Sequence, residues 1–252
     1  MSGLTKNKYM ISQLLEHKNP NKKLFALLLD PENYSEQQVV NITKEAEKAG
    51  VNLILTGGSL ISNSIDRFIR IIKSNCNIPV CLFPGNVMQI SSEADGIFFL
   101  SLISGRNPDL LIGNHVMVAR MLQNTDIEVI PTGYILVKSG IDISSVEYMS
   151  NTKPIPEDKT EIIVSTALAG EMLGLKAIYL EGGSGAESAI SSNIIKEVKA
   201  NINIPLIVGG GLKRKEDIRN VCSAGADMVV VGNAIEQFPE KLYEMANSVI
   251  LY

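Results

Sequence analysis

Short apolar runs recur along the chain at Leu24–Leu29, Val51–Leu55, Ile78–Phe83, Gly96–Leu100, Glu128–Val137, Ala177–Leu180, Ile204–Val208 and Met228–Val231. Runs this short and this continuously apolar read as strands covered on both faces. Between them, Ser35–Ala49, Pro108–Gln123, Glu161–Leu173 and Ala186–Ala200 carry apolar positions at helical spacing, and the first is bounded by a Ser35 N-cap and a Gly50 stop. Strands alternating with helices predict a parallel sheet with right-handed crossovers. Eight repeats without a second composition regime favour closure over an open doubly wound sheet, so the expected fold is a single α/β domain over residues 1–252, a TIM (β/α)8 barrel. Residues 139–160, with Pro154 and Pro156, form the longest irregular stretch; they follow the fifth strand on the face where barrel chemistry sits, and are a candidate lid.

Composition narrows the function classes. Of 252 residues, 45% are hydrophobic, enough for a large core. With 23 basic and 27 acidic residues the net charge is −4, which gives no electrostatic footprint for nucleic acid or an anionic membrane, so any affinity for phosphate must be local. The three cysteines, Cys76, Cys81 and Cys222, lack metal-ligand spacing and sit in or beside apolar runs, as buried thiols of a reducing cytoplasm do. The N-terminus is polar and no apolar stretch reaches bilayer length, so neither a signal peptide nor a transmembrane helix is visible and a soluble, cytoplasmic protein is expected.

The candidate chemistry lies at strand ends, where barrel active sites are built. Three glycine-rich ends, YLEGGSG from Tyr179 to Gly185, VGGG from Val208 to Gly211 and VVVGNA from Val229 to Ala234, each precede a helical stretch. Backbone N–H groups there can converge on a phosphate, whereas a turn alone would explain one such cluster but poorly explains three. Asp30 closes the first strand in LLLDP, and Ser59 closes the TGGS that ends the second. Each has a simpler role, Asp30 in an Asx-turn or helix cap and Ser59 in the first turn of a helix. Together a carboxylate and a hydroxyl on adjacent strands make the sparse shell that Mg²⁺ uses when substrate phosphates and waters supply its other ligands. Glu181 stands inside the glycine cradle; contact with the anion would be repulsive, so its partner is a hydroxyl of the bound molecule, as acceptor or general base. Tyr179 either lines that pocket or is a core aromatic. His17 falls in a polar segment, His115 reads as a structural helix histidine, and the methionines, Met88, Met117 and Met121 among them, read as core filler.

LLLDP, TGGS, YLEGGSG, GGG and GNA, in that order over essentially the whole chain, resemble the geranylgeranylglyceryl phosphate synthases and the related bacterial heptaprenylglyceryl phosphate enzymes. The resemblance implies a modified TIM barrel and a Mg²⁺-dependent transfer of a prenyl group from a prenyl diphosphate to the 3-hydroxyl of sn-glycerol 1-phosphate, the first ether bond of archaeal-type lipids. It implies Asp30 and Ser59 as metal ligands and Glu181 as base. It further implies a glycerol 1-phosphate site of Tyr179, Leu180, Glu181, Gly182, Gly183, Ser184, Gly185, Gly210, Gly211, Gly232 and Asn233. Geranylgeranyl is the expected donor because the segment GRNPDLLIGNH after the fourth strand resembles members that use it; a heptaprenyl donor is the alternative. The family implies a homo-oligomer, dimer or hexamer. Two rivals remain: a metal-independent phosphosugar isomerase or lyase on the same barrel, and a non-catalytic binder of a phosphorylated ligand.

Overall fold

A computed structural model describes residues 9–16, 22–58, 62–138, 143–183 and 185–250. Its nine strands are β1 (Leu24–Leu29), β2 (Leu53–Thr56), β3 (Val80–Leu82), β4 (Gly96–Leu102), β5 (Glu128–Lys138), β6 (Ile155–Pro156), β7 (Ala177–Glu181), β8 (Leu206–Gly209) and β9 (Met228–Val231). All pair in parallel in the order β4-β3-β2-β1-β9-β8-β7-β5, and β4 pairs with β5 to close an eight-stranded barrel. The two-residue β6 only extends the end of β5. The fold is the TIM barrel expected from the eight apolar runs, whose ends move by a few residues at most.

The continuous apolar pattern has the predicted cause. Alternate residues of each strand enter two cores: Phe25, Leu27 and Leu29 pack outward under helices, whereas Leu24 and Ala26 point into the barrel. The helix Glu36–Ala49 starts at Ser35, whose N–H is met by the Gln38 side chain, and stops at Gly50 in the left-handed region at φ +76°. At the amino end of the barrel a short helix, Met10–Leu15, inserts Ile11 into the interior core, and the N–H groups of Ile11 and Ser12 donate to the buried Glu128 carboxylate at 2.7 and 2.9 Å.

Three elements depart from expectation. The predicted helix Ala186–Ala200 begins only at Ser192 and ends at Asn201, because Ser191 is the N-cap that accepts from the Ile194 N–H; the preceding residues belong to the glycine loop. The predicted helix over 108–123 opens as a π-helical turn, Asp109–Gly113, and becomes α-helical over Asn114–Gln123. The candidate lid, whose residues 139–142 lie outside the described residues, is ordered beyond them as a helix, Ser145–Ser150, followed by β6. Between β3 and β4 the described chain runs as a loop with no helix, and Val87 and Ile90 of that loop pack in the outer core with Ile97 and Phe99 of β4.

Candidate active site

A cavity of about 470 Å³ opens at the carboxyl ends of the strands, within the usual size of a small-molecule site. Its inner part is bounded by Leu28 of β1 and Asp30 after it, Gly57 and Gly58 after β2, Phe83 after β3, Leu100 and Leu102 of β4, Tyr134 of β5 and Glu181 of β7. Its outer part is bounded by Val87 and Ile90 of the β3–β4 loop, Ile97 and Phe99 of β4, and His115 and Val118 of the following helix. Leu100 and Leu102 belong to the barrel interior, Ile97 and Phe99 to the outer layer. The cavity therefore reaches both faces of β4, its outer part lying between the β3–β4 loop and the helix that follows β4. Its outer limb is apolar.

Glu181 is the polar centre of the inner part. It is 7% exposed, and its Oε1 accepts the Gly183 N–H at 2.7 Å. The Tyr134 and Tyr179 hydroxyls also donate to it. Burial pushes its pKa up, and the three donors oppose that shift without cancelling it. The two phenols stack with centroids 5.2 Å apart and lie under Phe83. Of the pair, Tyr134 reaches the cavity; Tyr179 is 1% exposed, with its hydroxyl close against Gly209. Tyr179 is thus a buried support for Glu181 on the protein side.

The glycine ends form one rim beside this carboxylate. Gly183 and Gly210 have φ of +104° and +82°, and the Cα of Gly210 sits so close to the Gly182 and Gly183 nitrogens and to Glu181 Oε1 that no side chain fits. Gly211, at φ +68°, packs against the Ser188 backbone. Gly185 also has positive φ, but nothing packs against it. Gly232 lies over Leu28 and, with Asn233, lines the cavity. Leu180 faces the outer layer, so it offers a ligand only its backbone. Ser184 lies outside the described residues.

Asp30 is half-buried at the mouth, just past the end of β1. One carboxylate oxygen accepts the Glu32 N–H at 3.0 Å, and the carboxylate abuts Gly58 so closely that a Cβ there would overlap it. Burial raises the Asp30 pKa, with the Glu32 N–H opposing and the Glu32 charge adding to it. Ser59 lies outside the described residues, so its pairing with Asp30 has no structural description here; the chain on either side of it is anchored. Gly58 is held by Gln89, and the N–H groups of Ser62 and Asn63 donate to the Glu32 carboxylate at 2.6 and 2.8 Å. Among the described residues no cluster of three or more His, Cys, Asp or Glu side chains is grouped to bind a metal. A single hard-oxygen ligand beside a roomy cavity fits Mg²⁺, which keeps waters and takes phosphate oxygens, and does not fit a metal held wholly by protein.

His115, read from the sequence as a structural helix histidine, lies on the helix after β4 and borders the cavity. Nε2 donates to the Leu100 carbonyl at 3.0 Å, the ring meets Phe99 edge-on at 4.2 Å, and burial lowers its pKa, which keeps it neutral. His17 lies outside the described residues. The methionines divide differently from expectation: Met228 and Met245 are core, whereas Met88, Met117 and Met121 are exposed. All three cysteines are buried and free. No described helix is long and apolar enough to cross a membrane.

Comparison with known proteins agrees with this geometry. Residues 15–249 match the PcrB family. A protein of Chitinophaga pinensis named geranylgeranylglyceryl phosphate synthase is 43% identical, over 94% of both chains. The solved structure of a Thermoplasma volcanium enzyme of the same abbreviated name, GGGPS, superposes with a TM-score of 0.86 at 37% identity, over 95% of this chain and 96% of that one. The (S)-3-O-geranylgeranylglyceryl phosphate synthase of Thermoplasma acidophilum, solved in complex with its substrate sn-glycerol-1-phosphate, also gives 0.86, at 32% identity over 99% of each chain.

Proposed function

The chain belongs to the PcrB family, and from that premise we propose that it joins geranylgeranyl diphosphate to the 3-hydroxyl of sn-glycerol 1-phosphate, giving geranylgeranylglyceryl phosphate and diphosphate. One observation carries this reading: a cavity that holds the buried Glu181 carboxylate, Gly232 and Asn233 continues past Val87, Ile90, Ile97, Phe99 and Val118 on the outer side of β4. A phosphosugar needs the first part but has no use for the second. An isoprenoid diphosphate needs both.

The phosphate of the acceptor lies against the rim of Gly183, Gly210, Gly211, Gly232 and Asn233, with Ser184 and Gly185 from the same loop, where a backbone without side chains at Gly183, Gly210 and Gly211 lets an anion approach closely. Fixing the far phosphate brings the 3-hydroxyl to Glu181 and in line with the allylic carbon of the donor, whose chain follows the apolar limb. The hydroxyl proton passes to Glu181, the glycerol oxygen bonds to the allylic carbon, and the bond from that carbon to diphosphate breaks. Tyr134, which reaches the cavity, keeps Glu181 oriented toward it. The diphosphate lies toward Asp30 and the Gly57–Ser59 loop. Mg²⁺ held by Asp30 and Ser59 would neutralise the charge gathering on the leaving group.

The same reading extends to the assembly and setting. Ile112, Val116, Met117 and Met121 are exposed on one helix and supply an apolar face for a homo-oligomer, dimer or hexamer. Three buried, unpaired thiols suit a reducing cytoplasm. The test is incubation of the protein and Mg²⁺ with sn-glycerol 1-phosphate and labelled geranylgeranyl or heptaprenyl diphosphate. Ether product with geranylgeranyl preferred supports the reading, a heptaprenyl preference reassigns the donor, and no product with either removes it.

A further inference from the structure

Gln89 lies in the β3–β4 loop, is 2% exposed and does not itself line the cavity. Its amide nitrogen donates to the Gly58 carbonyl at 2.6 Å, while its amide oxygen accepts the Gly58 N–H at 3.2 Å and the Gly85 N–H at 3.0 Å. The opposite amide orientation would set donors against two N–H groups, so this network fixes it. The last backbone rung between the β2 and β3 chains runs from the Phe83 N–H to the Thr56 carbonyl. Past that rung the two chains part, and the Gln89 amide meets both polar groups of Gly58 as a neighbouring strand would.

What Gln89 holds is a wedge. A Cβ at Gly57 would overlap the Phe83 carbonyl, and one at Gly58 would overlap the Asp30 carboxylate. The Gly57–Gly58 backbone therefore fills the gap between the β3 exit and Asp30 with no slack. Asp30, Gly57, Gly58 and Gly85 all line the cavity, at the exits of β1, β2 and β3. Loss of the clamp leaves the Gly58 and Gly85 groups without partners and frees the loop to move off Asp30.

We infer that Gln89 is the positioning residue for the leaving-group end of the site, fixing the Gly57–Gly58 and Gly85 backbone against Asp30 so that the donor's diphosphate finds a preformed seat. This rests on the prenyl-transfer reading. It separates from a general structural role because the acceptor rim is built from β7, β8 and β9, which Gln89 does not touch.

The test is calorimetric binding, with Mg²⁺ present, of an unreactive thiolodiphosphate analogue of the donor and, separately, of sn-glycerol 1-phosphate. In Gln89→Leu the analogue should bind about tenfold more weakly, the loss expected from a few broken polar contacts, while glycerol phosphate binding stays within about twofold. Equal weakening of both ligands, or of neither, overturns the inference. Where the Leu variant does not fold, Gln89→Glu keeps the two accepted bonds and loses the donated one, and the same split is expected. Binding of neither ligand by the unaltered protein would instead overturn the prenyl-transfer reading on which the inference stands.

Discussion

Glu181 is asked to do two opposing things: stay buried and carry charge. Its pKa is raised from an ordinary 4.5 by burial, so over the pH range between the ordinary and raised values the folded protein holds a proton that the unfolded chain has lost. Stability then falls as pH climbs through that window, and above it the ionised carboxylate is a standing cost. Glu181→Gln removes that cost. The variant should melt higher than the parent at pH 8, with the difference shrinking as pH falls toward 4.5, and its turnover should drop by roughly 100- to 10,000-fold, as expected when a general base is lost. Melting curves across pH and steady-state rates check both halves; unchanged turnover would assign the base elsewhere. Asp30 and Glu181 were legible in the sequence because each ends an apolar run, where a charge has few structural reasons to be. Tyr134 and Gln89 were not. Tyr134 sits inside a strand, where an aromatic is ordinary core, and Gln89 is a loop residue whose partner Gly58 lies 31 positions away. Only the closed barrel brings them to the residues they hold. Leu180, included with its motif, has its side chain on the wrong face, which strand alternation alone forecasts once the faces of Tyr179 and Glu181 are known.

At the scale of elements, strands were easier to read than helices. A buried parallel strand is written as a near-continuous apolar run, and all eight barrel strands fall on such runs, although β5 carries Glu128, Pro131 and Thr132 within its own. Helix starts depend on which of several Ser, Asn or Gly residues becomes the cap, which is why the helix before β8 begins at Ser192 rather than at Ala186. The loop between β3 and β4 is marked by Pro84, Gly85 and Asn86, but nothing in the sequence shows that its Val87 and Ile90 bound the outer part of the cavity. The helix Asn114–Gln123 forms one wall there, with Val118 facing the space. Val118→Trp should narrow this limb and shift preference toward shorter prenyl diphosphates by an order of magnitude in kcat/KM for the longest donor accepted, with little change in KM for glycerol phosphate. That shift is about what one or two displaced methylene groups are worth. A series of donors of graded length measures it; an unaltered length profile would place the isoprenoid elsewhere.

The whole molecule is a barrel plugged at one end and open at the other. The helix Met10–Leu15 closes the amino end through Ile11 and Glu128, so a ligand enters at the carboxyl end, where the acidic and glycine-rich strand ends gather. Barrel closure was legible from the count and spacing of apolar runs, and the gathering of Gly183, Gly210 and Gly211 near Glu181 from the glycine clusters at strand ends. The shape of the cavity was not, because it depends on both faces of β4 being reached from one opening. Nor was the placement of its two acids, Glu181 at the end of β7 and Asp30 just past β1, in one cavity. The net charge of −4 gives no general attraction for two anionic substrates, so selection rests on this local geometry. The most direct measurement is therefore prenyl transfer from geranylgeranyl diphosphate to sn-glycerol 1-phosphate set beside sn-glycerol 3-phosphate, each with Mg²⁺ and with the metal chelated. Metal-dependent ether formation on the 1-phosphate, with the 3-phosphate poor because its hydroxyl no longer meets Glu181 when the phosphate is seated, is the expected result. Equal use of the two enantiomers, or no transfer to either, would contradict it.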